Sequence, residues 1–545
     1  MTDLAEHSSW AGAEPGRCFR GARTVLVLCS TFRDHRELPR LARPGLSYLF
    51  HDYAGTSFEE LIGARAEGPA GAADPIAEVA RIRASMGDRS IAAVVSTDDY
   101  PGSALAAILA KELGLPGPDP SVNLICQHKY LSRVAQARIA PGAVPAFWPI
   151  DVAEHAPLPD GIVFPVFAKP VKSFFSIGAQ RINSAAELAE AKRRWATLDD
   201  FFLPLERLLE RKAEIEIGTT RLIAEGLLSG DQVTVEGFAY GGEVTILGVV
   251  DSIFFPGTLA FSRFEYPSAL PEDVQERMAD IARKVMGGFG FDNGLFNIEM
   301  MYDARGDRIA IIEINPRMAS QFADLYEKVD GTNAYEILLD IGTGVAPAPK
   351  CRQGPHHFAA SCVLRTFQDC LVAALPSDEQ VAELERLYPD TTVEVHATAG
   401  RKLSDELQDG TSFRYGIVNL GGRDREDVLQ RFAACRKRLS IALLPVGMQH
   451  ESIASVAKQA ALGVNCGSPV RIATTGEYPG AKERSVQKIV LLSFVLCLAV
   501  GVPQIRAGDA ETIMAINAAS AALDDAFERQ SAEDLKHMMT ATMSR

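Results

Sequence analysis

The sequence predicts a multidomain protein of mixed α/β and α+β class that opens on a parallel sheet wrapped by helices. Three observations predict it. Strand-like and helix-like runs alternate through the first 115 residues, a proline- and glycine-rich break (GLPGPDPS, 114–121) ends that pattern, and a long hairpin follows at 291–321. At 545 residues the chain is also too long for one core, since single cores stop growing at about 250–300 residues.

In the first unit, TVLVLCS (24–30) and SYLFHDY (47–53) are apolar runs of strand length. Helical patterns follow near 57–64 and 74–86, on either side of the flexible EGPAGAAD. IAAVVSTDDY (91–100) is a strand running into a polar turn, and ALAAILAKELGL (104–115) is a helix that stops at glycine with proline beyond. Such alternation implies parallel strands covered on both faces, and ligands of these sheets sit outside the carboxyl ends of the strands. The STDDY turn at 96–100 lies at such an end and is a candidate substrate contact.

After the break, residues 123–147 read as a helix followed by an interruption, with Lys129 near its start. FPVFAKP (164–170) is a buried strand carrying Lys169, an ammonium that requires an anionic partner there. SAAELAEAKRRWATL (184–198) is an amphipathic helix whose Ser184 and Glu187 form a capping box, and LERLLERKAEI is a further helix. Residues 220–253 give strand, linker, strand, Gly-Gly hairpin and strand, and 255–271 is read as a loop. A helix over 271–291 starts at proline with acids in its first turn and ends at Gly-Gly.

That helix delivers the chain to FDNGLFNIEMMYDARGDRIAIIEINPRMASQ, two strands joined by turn chemistry at 303–307. Side chains alternate along a strand, so Asn297 and Glu299 share a face, as do Glu313, Asn315 and Arg317 on the partner. If the register brings these faces together, two carboxylates, an amide oxygen and a guanidinium converge. Facing carboxylates raise each other's pKa unless a cation lies between them, and few hard oxygen ligands suit Mg²⁺. Arg317 supplies a planar fork for a phosphate or carboxylate. Residues 321–344 are read as one helix closing the domain.

N-x-E followed by E-I-N-P-R resembles the metal-binding signature of the ATP-grasp superfamily, and among its members the carboxylate–amine ligases and biotin-carboxylase-like proteins most. The resemblance covers roughly residues 24–445. It implies an ATP-grasp fold with a nucleotide cleft between two lobes, ATP as cofactor, and Mg²⁺ (or Mn²⁺) on Glu299, Glu313 and Asn315. It further implies that Lys129 and Lys169 hold phosphates and that 171–182 is a phosphate loop offering Ser173, Ser176 and Gly178, with Phe174 and Phe175 excluding water. Backbone groups of Glu225, Gly226, Leu227 and Leu228 would meet the adenine edge. Gln232, beside Asp231, is the counterpart of the family's acidic ribose ligand, and Glu236 is the other candidate cleft carboxylate. Arg263 and Glu265 would approach the acceptor, and Arg317 would steady an acyl phosphate.

From 346 the pattern is lid-like: FAASCVLRTF, TTVEVHA and RYGIVNLGG are strands finished by a helix, with Asn419–Arg423 read as a turn. The expected domains are 1–118, 119–345, 346–447 and an atypical tail, 448–545. That tail carries a 14-residue apolar run at 489–502 with basic residues before it, shorter than the roughly 20 residues a bilayer span needs. An amphipathic helical pair at 511–539 resembles the opening of a polyketide-cyclase-like fold. A fusion or vestige is favoured, with membrane contact through 489–502 as the alternative.

A net charge of −15 argues against a nucleic-acid partner. Nine scattered cysteines without a C-x-x-C pair are neither a disulfide framework nor a zinc site, and suit a cytoplasmic protein; Cys29 and Cys362 are read as core. No signal peptide opens the chain. The expected function is an ATP- and Mg²⁺-dependent ligase, acting as a homodimer, that joins a small-molecule carboxylate to an amine through an acyl phosphate. The alternatives are a biotin-dependent-type carboxylase subunit and a non-catalytic ATP-binding module.

Overall fold

In the computed structural model the described residues are 23–52, 74–153, 156–173, 178–195, 199–215, 220–406, 408, 411–439 and 441–446. The helical pattern near 57–64, Phe174, Phe175, Ser176 and the whole tail with its runs at 489–502 and 511–539 lie outside them. Among the described residues no helix is long and apolar enough to cross a membrane.

The first unit consists of β1 (Arg23–Leu28), α1 (Phe32–Arg40), β2 (Leu46–His51), α2 (Pro75–Met86), β3 (Ile91–Val95) and α3 (Gly102–Leu113). β1 is central and parallel to both neighbours, in the order β2-β1-β3. Its continuous apolar run follows from burial on both faces. Leu26 and Leu28 pack with Val79, Ile82, Leu105 and Ile108 on one side. Val25 and Val27 pack on the other with Tyr335, Ile337 and Ile341, supplied from much later in the chain.

The single helix expected over 123–147 is two, α4 (Pro120–Gln127) and α5 (Lys129–Ile139). His128 between them is extended, and its Nδ1 accepts the Leu131 N–H at 3.2 Å, so the histidine caps the second helix. Burial pushes its pKa down to about 3, which keeps Nδ1 an acceptor.

The smaller lobe contains β4 (Phe147–Asp151), β5 (Val166–Pro170), β6 (Gln180–Ile182), α6 (Ala185–Trp195), α7 (Asp199–Leu208) and β7 (Thr220–Gly226). Its antiparallel sheet runs β4-β7-β5-β6, and α6 covers it with Leu188, Ala191 and Trp195. The Glu187 N–H is accepted by Ser184 Oγ as expected, whereas the Glu187 carboxylate caps Asn183 N.

The larger lobe holds β8 (Asp231–Tyr240), β9 (Glu243–Phe254), β10 (Phe261–Tyr266), α8 (Glu272–Phe289), β11 (Gly294–Asp303) and β12 (Arg308–Asn315). α9 (Ala323–Asp330) and α10 (Ala334–Gly342) follow, then β13 (Phe358–Thr366), β14 (Cys370–Ala374), α11 (Asp378–Leu387), β15 (Thr392–Val395), β16 (Phe413–Gly422), α12 (Arg425–Arg438) and β17 (Ala442–Pro445). Eight strands form one sheet, β12-β11-β8-β9-β10-β13-β16-β15, so the lid strands continue the sheet of the 291–321 hairpin. Three expectations are corrected. The 255–271 loop contains β10, the 321–344 helix is broken at left-handed Gly331, and Asn419–Gly422 stay in β16, paired to β13. Cys29 and Cys362 are buried core residues.

Candidate active site

The hairpin register sets Asn297 opposite Asn315 and Glu299 opposite Glu313. The intervening Ile298, Met300 and Ile314 are buried on the other face, which fixes the polar set on the cleft side. The same rows continue onto β8, where Asn297 faces Glu236, Glu299 faces Thr234 and Met301 faces Gln232. Burial, and then the charge of Glu313, push the Glu299 carboxyl up to about 7, against the pull of Lys169, Lys129 and Arg317. Gln232 Nε2 donates to Glu299 Oε2 at 3.0 Å. Asn315 Nδ2 donates to Asn297 Oδ1 at 2.9 Å, and Asn297 Nδ2 donates to the Arg317 carbonyl at 3.1 Å.

Among the described residues no group of three or more His, Cys, Asp or Glu side chains forms a metal centre. Two acids and an amide oxygen nevertheless fit a hard divalent cation that keeps its other positions for water and phosphate. A cation between Glu299 and Glu313 would offset both the burial of the Glu299 carboxyl and, after it, the repulsion from Glu313 that together push it up to about 7.

Lys129, the first residue of α5, is held by its N–H on the Val171 carbonyl, and its Nζ lies 2.7 Å from Glu313 Oε1. Lys169 comes from β5 in the other lobe. Its Nζ sits 2.8 Å from Glu225 Oε2 and donates to the Ile312 carbonyl at 3.1 Å. Burial would raise the Glu225 pKa, but Lys169 and Arg133 hold it below the usual carboxylate range. Arg133 lies 2.6 Å from Glu225 and donates to the Ile311 and Ile312 carbonyls at 2.9 and 3.0 Å. Helix α5 is thereby tied to a strand of each lobe.

Three members of the site had no role of their own in the sequence: Asp99, within the STDDY turn read as a substrate contact, Lys172, within the 171–182 phosphate loop, and Arg133. Asp99, in the STDDY turn, pairs with Lys172 Nζ and lies 3.4 Å from Arg317 Nε. Burial works against its charge, yet Lys172 and Arg317 hold its pKa at about 2. Two signals were present in the sequence, a strand-end acid and a second lysine three residues past Lys169. Neither names its partner.

The Glu225–Leu228 segment leaves β7 and leads to β8, so it is the covalent link between the two sheets. Gly226 N donates to the Ala146 carbonyl at 2.8 Å, while Leu227 is 41% exposed. Gly178 has φ +77°, and a Cβ there would lie 1.6 Å from Trp195 Cζ2, so the indole demands glycine. Glu236 is fully buried rather than open to the cleft: its Oε1 accepts the Ala319 N–H at 2.6 Å, and burial pushes its pKa up to about 8. Arg263 and Glu265 fall on the opposite face of the sheet from Glu299. Glu265 pairs with Asp251 across the ladder and is fully buried between Arg263 at 2.7 Å and Arg425 at 2.5 Å. Their expected contact with an acceptor is therefore corrected.

Residues 162–324 match the ATP-grasp domain. A D-alanine–D-alanine ligase of Kineococcus radiotolerans is 32% identical over 168 residues, 29% of this chain and 42% of that one. The vancomycin/teicoplanin A-type resistance protein VanA of Enterococcus faecium is 27% identical over 204 residues, 37% of this chain and 56% of that one. The chain thus spans about half the length of these curated relatives. The crystal structure of an L-amino acid ligase from Bacillus licheniformis superposes with a TM-score of 0.57 at 15% identity, covering 78% of this chain and 99% of that one.

Proposed function

Because the chain carries an ATP-grasp domain in an ATP-grasp fold, we propose that it is an ADP-forming carboxylate–amine ligase. The observation that carries this reading is the convergence, at one cleft, of the facing Glu299 and Glu313, Asn315, Lys129 from α5, Lys169 from the smaller lobe, and Arg317. The matched D-alanine–D-alanine ligase and L-amino acid ligase are both named for joining amino acids, and this supports acyl–amine chemistry.

In the proposed reaction a substrate carboxylate oxygen takes the γ-phosphoryl group of ATP, and ADP leaves. The amine then attacks the acyl carbon, phosphate departs, and the amine loses a proton. Lys129 and Lys169, both held on glutamates, are placed to exchange part of that pairing for phosphate oxygens. Glu299, Glu313 and Asn315 would hold Mg²⁺ or Mn²⁺, which when bound offsets phosphate charge. Arg317, oriented by Asp99, presents its fork to the acyl phosphate or its tetrahedral adduct. The Glu225–Leu228 backbone would meet the adenine, and Gln232 the ribose, which then requires it to leave Glu299.

The test is Mg²⁺-dependent ADP release by the full chain with pools of carboxylates, with and without amines. Release that needs both substrates is expected. Glu313→Ala should abolish it, by at least about a hundredfold, while circular dichroism and the melting temperature stay near wild type. Undiminished release in that variant would sink the metal assignment, and release with bicarbonate and free biotin instead would favour a carboxylase.

A further inference from the structure

The ligase reading leaves the substrate pair open, and the face of the eight-stranded sheet that carries Glu299 continues well past the phosphate end of the cleft. Following the register, Glu299 lies beside Thr234, Thr234 beside Val250, and Ser252 and Phe254 continue that side of β9. Phe264 pairs with Ser252, and Ser361 pairs with Phe264. Simple alternation would send Phe261 to the other side. A register shift between Phe261 and Arg263 sets Phe261 opposite Phe254 and returns it to this face.

The result is a continuous row of phenyl rings. Phe322 and Phe264 lie 5.0 Å apart between centroids, Phe264 and Phe261 4.9 Å, and Phe261 and Phe254 4.7 Å in a stacked pair. Phe255, the residue after Phe254, makes a separate edge-on contact with Phe367 at 5.2 Å. The inner end is anchored, because Phe322 is buried and follows Arg317 by five residues. Outward the rings are only partly covered: Phe254, Phe261 and Phe264 are intermediate in exposure. Between Glu299 and the rings the same face is closed, with Val250 and Ser252 buried and Val250 packed with Phe322, Leu325 and Tyr326, so the partly open stretch begins at Phe264. A contiguous, partly uncovered aromatic row on the face that carries the candidate reaction centre offers a seat for an apolar group.

We infer that one substrate of this site carries an aromatic or bulky apolar side chain, seated on the Phe254–Phe261–Phe264 row while its reacting group lies toward Arg317. This rests on the ligase reading for the reaction but on the sheet face for the side chain. Three strand spacings, about 14 Å, separate the Glu299 row from that of Phe264, room for the nucleotide's phosphates at one end and a substrate side chain at the other. Stacking on phenyl rings selects flat or bulky apolar groups over small or charged ones, with no hydrogen bond to set their identity.

The probes are L-phenylalanine and L-alanine with ATP and Mg²⁺. In one arm they are the carboxylate, with hydroxylamine as the amine; in the other they are the amine, with a pool of carboxylates. ADP release should favour phenylalanine over alanine at least about tenfold in kcat/KM in one arm, which also says which substrate uses the strip. Phe261→Ala and Phe264→Ala should each erase most of that ratio, chiefly through KM, and Phe261→Leu should retain part of it if folding is the concern. Equal use of both amino acids, or a ratio untouched in both alanine variants, overturns the inference while leaving the ligase standing. Thermal upshift by L-phenylalanine in the presence of a non-hydrolysable ATP analogue separates the remaining cases. An upshift abolished by Phe261→Ala, without ADP release from any pool, keeps the strip and sinks the ligase. Neither upshift nor release sinks both.

Discussion

At Asp99 one carboxylate faces Lys172 and Arg317 together, and Lys172 is almost entirely withdrawn from solvent. The two cations outweigh burial and depress the Asp99 pKa to about 2, below the roughly 3.9 of an unfolded aspartate. A depressed folded pKa contributes stability that is present above the unfolded value and lost as pH falls through the folded one. The window is therefore about pH 4 down to about pH 2, and the linked contribution at neutral pH is about 2–3 kcal/mol. Asp99→Asn should lower the urea-unfolding free energy by about that amount at pH 7, and the gap to wild type should narrow as pH drops through that window. It should also lower kcat, since Arg317 loses its orienting partner. A pH-independent gap would mean that Asp99 acts through packing rather than charge. Glu299 illustrates the complementary case, in which burial, and then the facing charge of Glu313, push a carboxyl up toward neutrality.

Among the elements, α6 shows how a residue expected for one reason is required for another. Gly178 belongs to the segment read as a phosphate loop, yet its missing Cβ is where the Trp195 indole of α6 packs. Gly178→Ala should displace that indole and strain a positive φ, destabilising the protein by about 3 kcal/mol with a changed near-ultraviolet tryptophan signal. A raised KM for ATP with an unchanged melting temperature would instead support the phosphate role. In the β11–β12 hairpin the alternation of faces was legible from a period of two, whereas the pairing of Glu299 with Glu313 was not: continued from Asp303 opposite Arg308 the ladder would set Glu299 against Ile312, and a bulge between Glu299 and Met300 brings Glu313 there instead. β10 was hidden by the FPGT turn and by the bulge that breaks its alternation. The division of α4 from α5 carries no glycine or proline, only a histidine that turns out to cap. The Asp99–Lys172 pair spans 73 residues, and the Arg133–Ile311 bond 178, distances over which periodicity carries no information.

Across the whole molecule, the first unit is bound to the rest by charges as well as by its shared core. Arg33 of α1 grips Glu394 of β15 through Nε at 2.9 Å and Nη2 at 2.5 Å, and its Nη1 donates to Ser320, just past the β11–β12 hairpin. Asp34 accepts from Thr97 at 2.7 Å and from Tyr335 of α10 at 2.8 Å, and Arg40 reaches Glu327 of α9. The Glu394 side chain is 1% exposed; burial alone would raise its pKa, and Arg33 and His396 instead hold it well below the carboxylate range. Stripping a buried charge of its partners costs about 3–5 kcal/mol, and loss of Arg33 removes the main one here, leaving Glu394 with Arg36 Nη2 at 3.2 Å and His396 at 3.4 Å, so the cost falls below that range. Arg33→Ala should therefore lower the melting transition of the full chain by several degrees. Because β15 shares a sheet with β11 and β12, the loss should be felt by the first unit and the large lobe together. Calorimetry should show the transition containing residues of both parts moving as one, with hydrogen exchange in β1 and β11 accelerating in parallel. A new low-temperature transition confined to β1–β3 would mean that the first unit is an independently unfolding domain, and that Asp99 reaches Arg317 across a loose interface rather than a shared core.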